Sequence, residues 1–230
     1  MENENSYTST SIDRSDLKVP ANPIPYNQLK RFRYRLKERS KKWPERNEAL
    51  LMLQIATGYR AQDLVDLTIG EIKESLGIGN FAIQEKKQIR AYETKRKNYF
   101  NKYNEEPTFE KPKKRIADIC KSSETYKILF KYIEGKKNSE YAFPSDGKYG
   151  YITSKSWSRI LKPAGEDIGL ENITAHSPRK TFATMIYEEY NDILVVKRQL
   201  GHKYVDTTEK YIGIYKEERR KVASLMASKV

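Results

Sequence analysis

Apolar residues recur every three to four positions along most of this 230-residue chain, the spacing of a helix that buries one face. YNQLKRFRYRLKER, residues 26–39, predicts a basic helix with interleaved aromatics and a thin packing face. ERNEALLMLQIAT, residues 45–57, is apolar enough for a buried helix, and Gly58 suits its C-terminal cap. A short helical stretch follows over residues 60–64. The spacing then shortens to strand-like alternation in LTIGEI (67–72), GNFAIQEKKQI (79–89) and KKRIADI (113–119). Between the last two lies a polar insertion, residues 91–113, rich in Lys, Tyr and Asn, which reads as a long hairpin or a loop that touches a ligand. From Ser122 the helical period returns and runs to the end of the chain. These patterns predict an α+β chain, mainly α, with a small antiparallel sheet of about three strands packed against helices. Residues 1–25, rich in Ser, Asn and Pro, read as a flexible arm.

Charge changes the picture most. A formal net charge of +13 and a pI near 9.5 favour a polyanionic partner, either nucleic acid or an acidic membrane surface. No apolar run approaches the roughly 20 residues that cross a bilayer, and the N-terminus lacks a signal-peptide pattern. The single cysteine, Cys120, excludes an internal disulfide framework and a Cys-based zinc site, and fits a reducing, intracellular setting.

Several residues then stand out as candidate chemistry. In AHSPRKTFATMI, Ser177 suits an N-cap and Pro178 the first helical position, which puts Arg179 in the first turn beside His176. Steps of three and four from Arg179 reach Phe182, Ala183 and Ile186, an apolar face. A guanidinium at the foot of that face is costly unless it meets an anion, either a carboxylate or a bidentately held phosphate. Arg60 in TGYRAQDL follows a helix-ending glycine, with Asp63 one turn on and placed to orient it. Strand alternation puts Phe81, Ile83, Glu85 and Lys87 on one face, so Lys87 continues the apolar side while Lys86 points away. Glu85-x-Lys87 with an upstream Asp66 also resembles the core of a magnesium-dependent nuclease. Finally, in LGHKYVDTTEKY, Gly201 stops a helix, His202 follows it, Asp206 or Thr207 can cap the next, and Tyr211 lies on that helix's second turn.

Taken in order, TGYRAQDL, the EKK lysine, HSPR, LGH and a tyrosine nine residues beyond that last histidine resemble the signature of the tyrosine recombinases, the phage integrase family. The match spans roughly residues 45 to 215. It is specific because five separated motifs agree in order and spacing. The resemblance implies a catalytic domain over residues 26–215 and a helical tail over 216–230. It implies a site-specific recombinase that cleaves and rejoins double-stranded DNA through a 3′-phosphotyrosyl intermediate. Tyr211 would be the nucleophile, and Arg60 and Arg179 would clamp the non-bridging oxygens. His176 would assist proton transfer, His202 would hydrogen-bond the phosphate, and Lys87 would protonate the leaving 5′-oxygen, with Asp63 in support. No cofactor or metal is expected. Tyr204 and Tyr215 read as packing residues.

The same resemblance implies self-association on DNA, from dimer to tetramer, through a tail stripe of Val222, Leu225, Met226 and Val230. It also implies a cytoplasmic setting, in a bacterial or archaeal cell or the host cell of a virus or mobile element, and no membrane partner. Three departures accompany it, the first being that the 90–115 insertion is longer than a tight hairpin. Gln88 stands where a threonine often follows the strand lysine, and only some 40 residues precede the match, where members usually carry a DNA-binding domain of about a hundred residues. A topoisomerase of type IB, the metal nuclease and a non-catalytic DNA-binding protein are the alternatives.

Overall fold

The computed structural model describes residues 20–228, with the side chains of residue 210 and residues 214–219 left aside. Eleven helices and two strands occur among the described residues. In chain order they are α1 (Tyr26–Arg39), α2 (Pro44–Thr57), α3 (Ala61–Leu64), α4 (Ile69–Ile78), β1 (Asn80–Ile83), α5 (Lys86–Tyr103) and β2 (Arg115–Asp118). There follow α6 (Glu124–Ile133), α7 (Ser154–Glu166), α8 (Ser177–Tyr190), α9 (Ile193–Leu200), α10 (Val205–Ile212) and α11 (Ile214–Ala227).

The main core forms around α2, which is buried on nearly every side because its apolar residues surround the helix rather than striping it. Phe32 and Leu36 of α1, Ile72 and Leu76 of α4, Leu129 and Ile133 of α6, and Trp157 and Leu161 of α7 close around it. Gln54, buried in mid-helix, accepts from Trp157 Nε1 at 3.0 Å and donates to the Ala175 carbonyl at 2.7 Å. That pair of bonds fixes the start of α8 against α2. A second, smaller apolar cluster of Ala183, Val196 and Leu200 joins α8 to α9, with Phe182, Ile186, Tyr211 and Ile212 packed on it.

The sheet differs from expectation. It has two antiparallel strands rather than three, with Phe81 opposite Ala117 and Ile83 opposite Arg115. LTIGEI is the start of α4: Thr68 and Glu71 form a reciprocal capping box, which overrides the alternation of its β-branched residues. GNFAIQEKKQI leaves the sheet after Ile83, and Lys86 opens α5, so Lys87 rides a helix and not a strand. The polar insertion is therefore mostly the helix α5, not a hairpin of strands. Within the stretch read as an arm, residues 20–25 are among those described, and two of them are held to the fold. Ile24 is buried, its amide donates to Thr181 Oγ1 at 2.8 Å, and Asn22 bonds Asn172, so the chain is already anchored before α1. Residues 1–19 and Val230 lie outside the described residues, as does the side chain of Tyr215. Tyr204 is exposed at the head of α10 and packs on nothing in the core.

Candidate active site

The C-terminal end of α2 is where the site is built. Gly58 ends that helix in the left-handed region (φ 62°), and a Cβ there would lie 2.3–2.8 Å from atoms of the Phe182 ring. Glycine thus turns the chain and lets α8 approach. Arg60, at the head of α3, and Arg179, in the first turn of α8, are brought to the same point. Arg179 is 1% exposed, as its place on an apolar face predicts. Its Nη1 donates to the Gly58 carbonyl at 2.6 Å and its Nη2 to the Leu200 carbonyl at 2.7 Å. Those two carbonyls, ends of α2 and α9, carry the partial negative charge of helix C-termini and hold the cation in place.

Between the arginines lies Glu85, also 1% exposed. Its Oε1 is 2.9 Å from Arg60 Nη1, 3.4 Å from Arg179 Nη1 and 3.5 Å from Arg115 Nε, while its Oε2 accepts from Gln88 at 2.7 Å. Arg115 comes from β2. It donates through one Nη1 to the carbonyls of Thr57 (2.9 Å) and Gln199 (2.8 Å), and its guanidinium lies 3.6 Å over the Tyr59 ring. Three guanidiniums thus face one carboxylate. The cluster retains donors without aligned acceptors: Arg60 Nη1, which touches Glu85 only as an ion pair, and Nε and Nη2 of Arg115. An excess of cation and buried N–H is an anion site. Burial, and then the neighbouring Arg60, lower the Arg179 pKa to about 10, which still leaves it protonated at neutral pH.

The LGHKYVDTTEKY segment closes over this cluster. Gly201 stops α9 in the left-handed region (φ 65°), and His202 turns back so that its Nε2 is 3.4 Å from Arg179 Nη2 and its Nδ1 3.0 Å from Thr208 Oγ1. Desolvation first, and the positive charges of Arg179 and Arg60 next, push its pKa down to about 4, so the imidazole is neutral. Thr208, fully buried, can accept from or donate to Nδ1, and so supports either tautomer. The His202 ring meets the edge of Tyr211, centroids 5.5 Å apart and planes at 86°. Tyr211 Oη is buried without a hydrogen-bond partner, yet Arg179 is near enough to favour its phenolate. Burial outweighs that help and pushes the phenol up to about 12.

Other predicted residues are placed less centrally. His176 caps α8 on the rim, exposed by area; partial desolvation, then Arg179 and Arg60, lower its pKa. Lys87 is exposed in the first turn of α5, close enough that its charge disfavours protonation of both histidines. Lys86 is turned away, bonded to Asp66 and to the Gln62 carbonyl. Asp63 does not pair with Arg60. It is buried and accepts the Lys86 backbone amide at 2.9 Å, pinning the head of α5, while Glu85 takes the arginine. With Glu85 held by three guanidiniums and Asp66 by Lys86, the residues of the metal-nuclease pattern are already engaged. Among the described residues no group of three or more His, Cys, Asp or Glu could hold a metal ion.

A profile of the phage integrase family matches residues 24–218. The chain belongs to the phage integrase family. Tyrosine recombinase XerD of Oceanobacillus iheyensis is 27% identical over 173 residues, 74% of this chain and 51% of that protein. The probable integrase/recombinase YoeC of Bacillus subtilis is 35% identical over 92 residues, 40% of this chain and 51% of that protein. The chain spans about half the length of the curated relatives it matches. Among solved structures, XerA recombinase superposes with a TM-score of 0.59 at 19% identity, covering 91% of this chain and 66% of that one. The Tn1549 transposon integrase bound to circular intermediate DNA gives 0.58 at 14% identity, covering 86% and 62%. Likeness at that identity speaks to the fold alone.

Two members of this cluster escaped the motif reading, Arg115 and the arginine-binding role of Glu85. Alternation had put Glu85 on the inward face beside Phe81, and a carboxylate there needs a cation, so that signal was present. Arg115 offered none beyond its place in a short strand. No helix among the described residues is long and apolar enough to cross a membrane.

Proposed function

We propose that this chain cleaves and rejoins double-stranded DNA at a specific site, through a 3′-phosphotyrosyl link to Tyr211. One observation carries the reading: the Tyr211 oxygen, buried without a well-formed hydrogen bond, lies close enough to the Arg179 and Arg60 guanidiniums for their charge to favour its phenolate. A DNA phosphate seated there receives N–H groups from Arg60 and Arg179 on its non-bridging oxygens, and their charge stabilises the phosphorane as it forms. Tyr211 Oη bonds to phosphorus as the bond to the 5′-oxygen breaks. The phenolic proton leaves toward His176, whose lowered pKa keeps it neutral and able to accept. Lys87 gives a proton to the departing 5′-oxygen. In its Nε2–H form His202 donates to the phosphate, with Thr208 donating to Nδ1. The reverse steps reseal the strand without ATP or a metal, because the phosphodiester energy is kept in the new bond.

The exposed Val222, Leu225 and Met226 of α11 are the surface through which copies associate on DNA, as dimers to tetramers. The setting is the cytoplasm of a bacterial or archaeal cell or of a host carrying a virus or mobile element.

The test is a nicked suicide duplex carrying the recognition site. Wild type forms a protein–DNA adduct that survives SDS and is indifferent to EDTA. Tyr211→Phe forms none while binding the duplex with unchanged affinity. An adduct that persists in Tyr211→Phe, or that EDTA abolishes, overturns the reading.

A further inference from the structure

The excursion over residues 86–114 leaves the fold and returns to it with no part in the main core. Its 18-residue helix, α5, has no buried residue. At 1.5 Å per residue it is about 27 Å long, roughly the rise of 8 base pairs. Its root is fixed at the active site: Glu85 immediately precedes it, Arg115 follows the excursion, and the two side chains touch at 3.5 Å. The root of α5 is therefore held at the cluster that also holds Arg179, the guanidinium beside Tyr211.

The two sides of α5 are used differently. One is covered by the returning chain: Phe109 packs edge-on against Tyr92 (5.6 Å) and Tyr99 (6.2 Å), and Lys95 lies 4.3 Å over the Phe109 ring. Arg96 on that side is paired bidentately with Glu106 at 2.8 and 2.7 Å. On the opposite side, steps of three and four from Lys87 reach Arg90, Thr94, Lys97 and Asn101, all exposed. Lys87, Arg90 and Lys97 enter none of the ion pairs among the described residues. Glu93, the helix's one acid, is spaced to reach Arg90 and Lys97 yet pairs with neither. Free cations alternating with hydrogen-bonding side chains, in a straight row that begins at the cleavage site, complement a phosphate backbone.

We propose that this row of α5 is a phosphate-contacting surface that holds the DNA duplex flanking the cleavage point. The proposal rests on the DNA-cleaving reading above and adds to it where the duplex runs.

Binding of a labelled duplex is followed by fluorescence anisotropy across a salt series, for wild type, Arg90→Gln/Lys97→Gln and a charge-matched control, Lys127→Gln/Lys131→Gln, on the exposed side of α6. The control carries the same loss of net charge. If α5 supplies two phosphate contacts, its double variant binds at least tenfold more weakly at low salt, and its slope of log affinity against log salt is shallower by about 1.8, while the control matches wild type. Arg90→Lys/Lys97→Arg, which keeps the charges, restores binding. An equal loss in both glutamine variants, or no loss in either while wild type still forms its adduct, overturns this inference and leaves the catalytic reading standing. A wild-type chain that neither binds duplex nor forms an adduct sinks the catalytic reading itself. Both substituted positions are exposed and unpaired, so a matching melting temperature confirms that the comparison is between folded proteins.

Discussion

Two tyrosines flank the arginine cluster, and their surroundings are opposites. On the β1–β2 side, Tyr59 is fully buried, and its hydroxyl is shared between the carbonyls of Phe81, at 2.8 Å, and Arg115. On the α9–α10 side, the buried Tyr211 hydroxyl makes no well-formed hydrogen bond and has the Arg179 guanidinium close by, against a small apolar cluster rather than the main core. Nearly all buried polar groups in folded proteins are satisfied, so an orphaned phenol is an exception that calls for a cause. On one side the tyrosine hydroxyl is tied into the fold; on the other it is left open.

If the cluster is structure on one side, removing the carboxylate that all three guanidiniums face should have the largest effect. Glu85→Ala leaves three guanidiniums facing one another in a desolvated space, and loss of one partner from a buried ionic network costs roughly 3–5 kcal/mol. Urea unfolding should show that drop. A change below about 1 kcal/mol would mean that water screens the arginines and that the two sides do not differ as described.

The arginines on the open side should matter to rate more than to folding. Arg60 has fewer protein bonds than Arg179, whose two nitrogens are tied to the carbonyls of Gly58 and Leu200. Arg60→Ala should therefore raise the barrier to adduct formation by about 2–4 kcal/mol in single-turnover assays, with little loss of stability. Arg60→Lys should recover only part, since an ammonium cannot reproduce the fork. Arg115→Ala should do the reverse, lowering stability while cleavage by the folded fraction changes less. If Arg115→Ala slows cleavage as much as Arg60→Ala, the division between the two sides fails.

The histidine that bridges the two sides gives a pH test. An unfolded histidine titrates near 6.5, whereas folded His202 titrates at about 4, so the unfolded chain takes up a proton first as pH falls. Its contribution to stability is present above pH 6.5 and is lost progressively between about 6.5 and 4. His202→Gln, which cannot titrate, should flatten the dependence of the unfolding midpoint on pH across that window. An unchanged slope would place His202 in solvent rather than against Arg179.

How far all this was visible in the chain depends on what each segment buries. Helices α1 and α2, and the start of α8, were legible to within two residues because each shows a helical period or cap. Even there the N-cap of α8 is His176, not Ser177, a one-residue shift of the kind common at helix ends. The helix α5 was illegible for the opposite reason: it buries nothing, so it has no apolar period to read. In the site, residues inside local motifs were found, and Arg60, Arg179, His202 and Tyr211 do converge. Partners chosen across the fold were not. Asp63 was assigned to Arg60 because it lies one turn on, but Glu85 reaches the same guanidinium from 25 residues away, and local spacing cannot register that.

The smallest expected effects test the opening contrast most directly, because they use one chemical change at two places. Tyr59→Phe deletes a hydroxyl that serves two carbonyls, and leaving buried acceptors unmet costs about 1–2 kcal/mol. Tyr211→Phe deletes a hydroxyl that makes no well-formed hydrogen bond in the folded chain, with the Arg179 guanidinium near it. Removing a buried, unsatisfied group releases its desolvation cost, so Tyr211→Phe should be neutral or more stable by up to about 1 kcal/mol. The same substitution should abolish the covalent adduct, whereas Tyr59→Phe should keep it. Equal destabilisation by the two changes would show that Tyr211 Oη has a partner in solution. Its place beside the arginine cluster would then be no evidence of a nucleophile awaiting phosphorus.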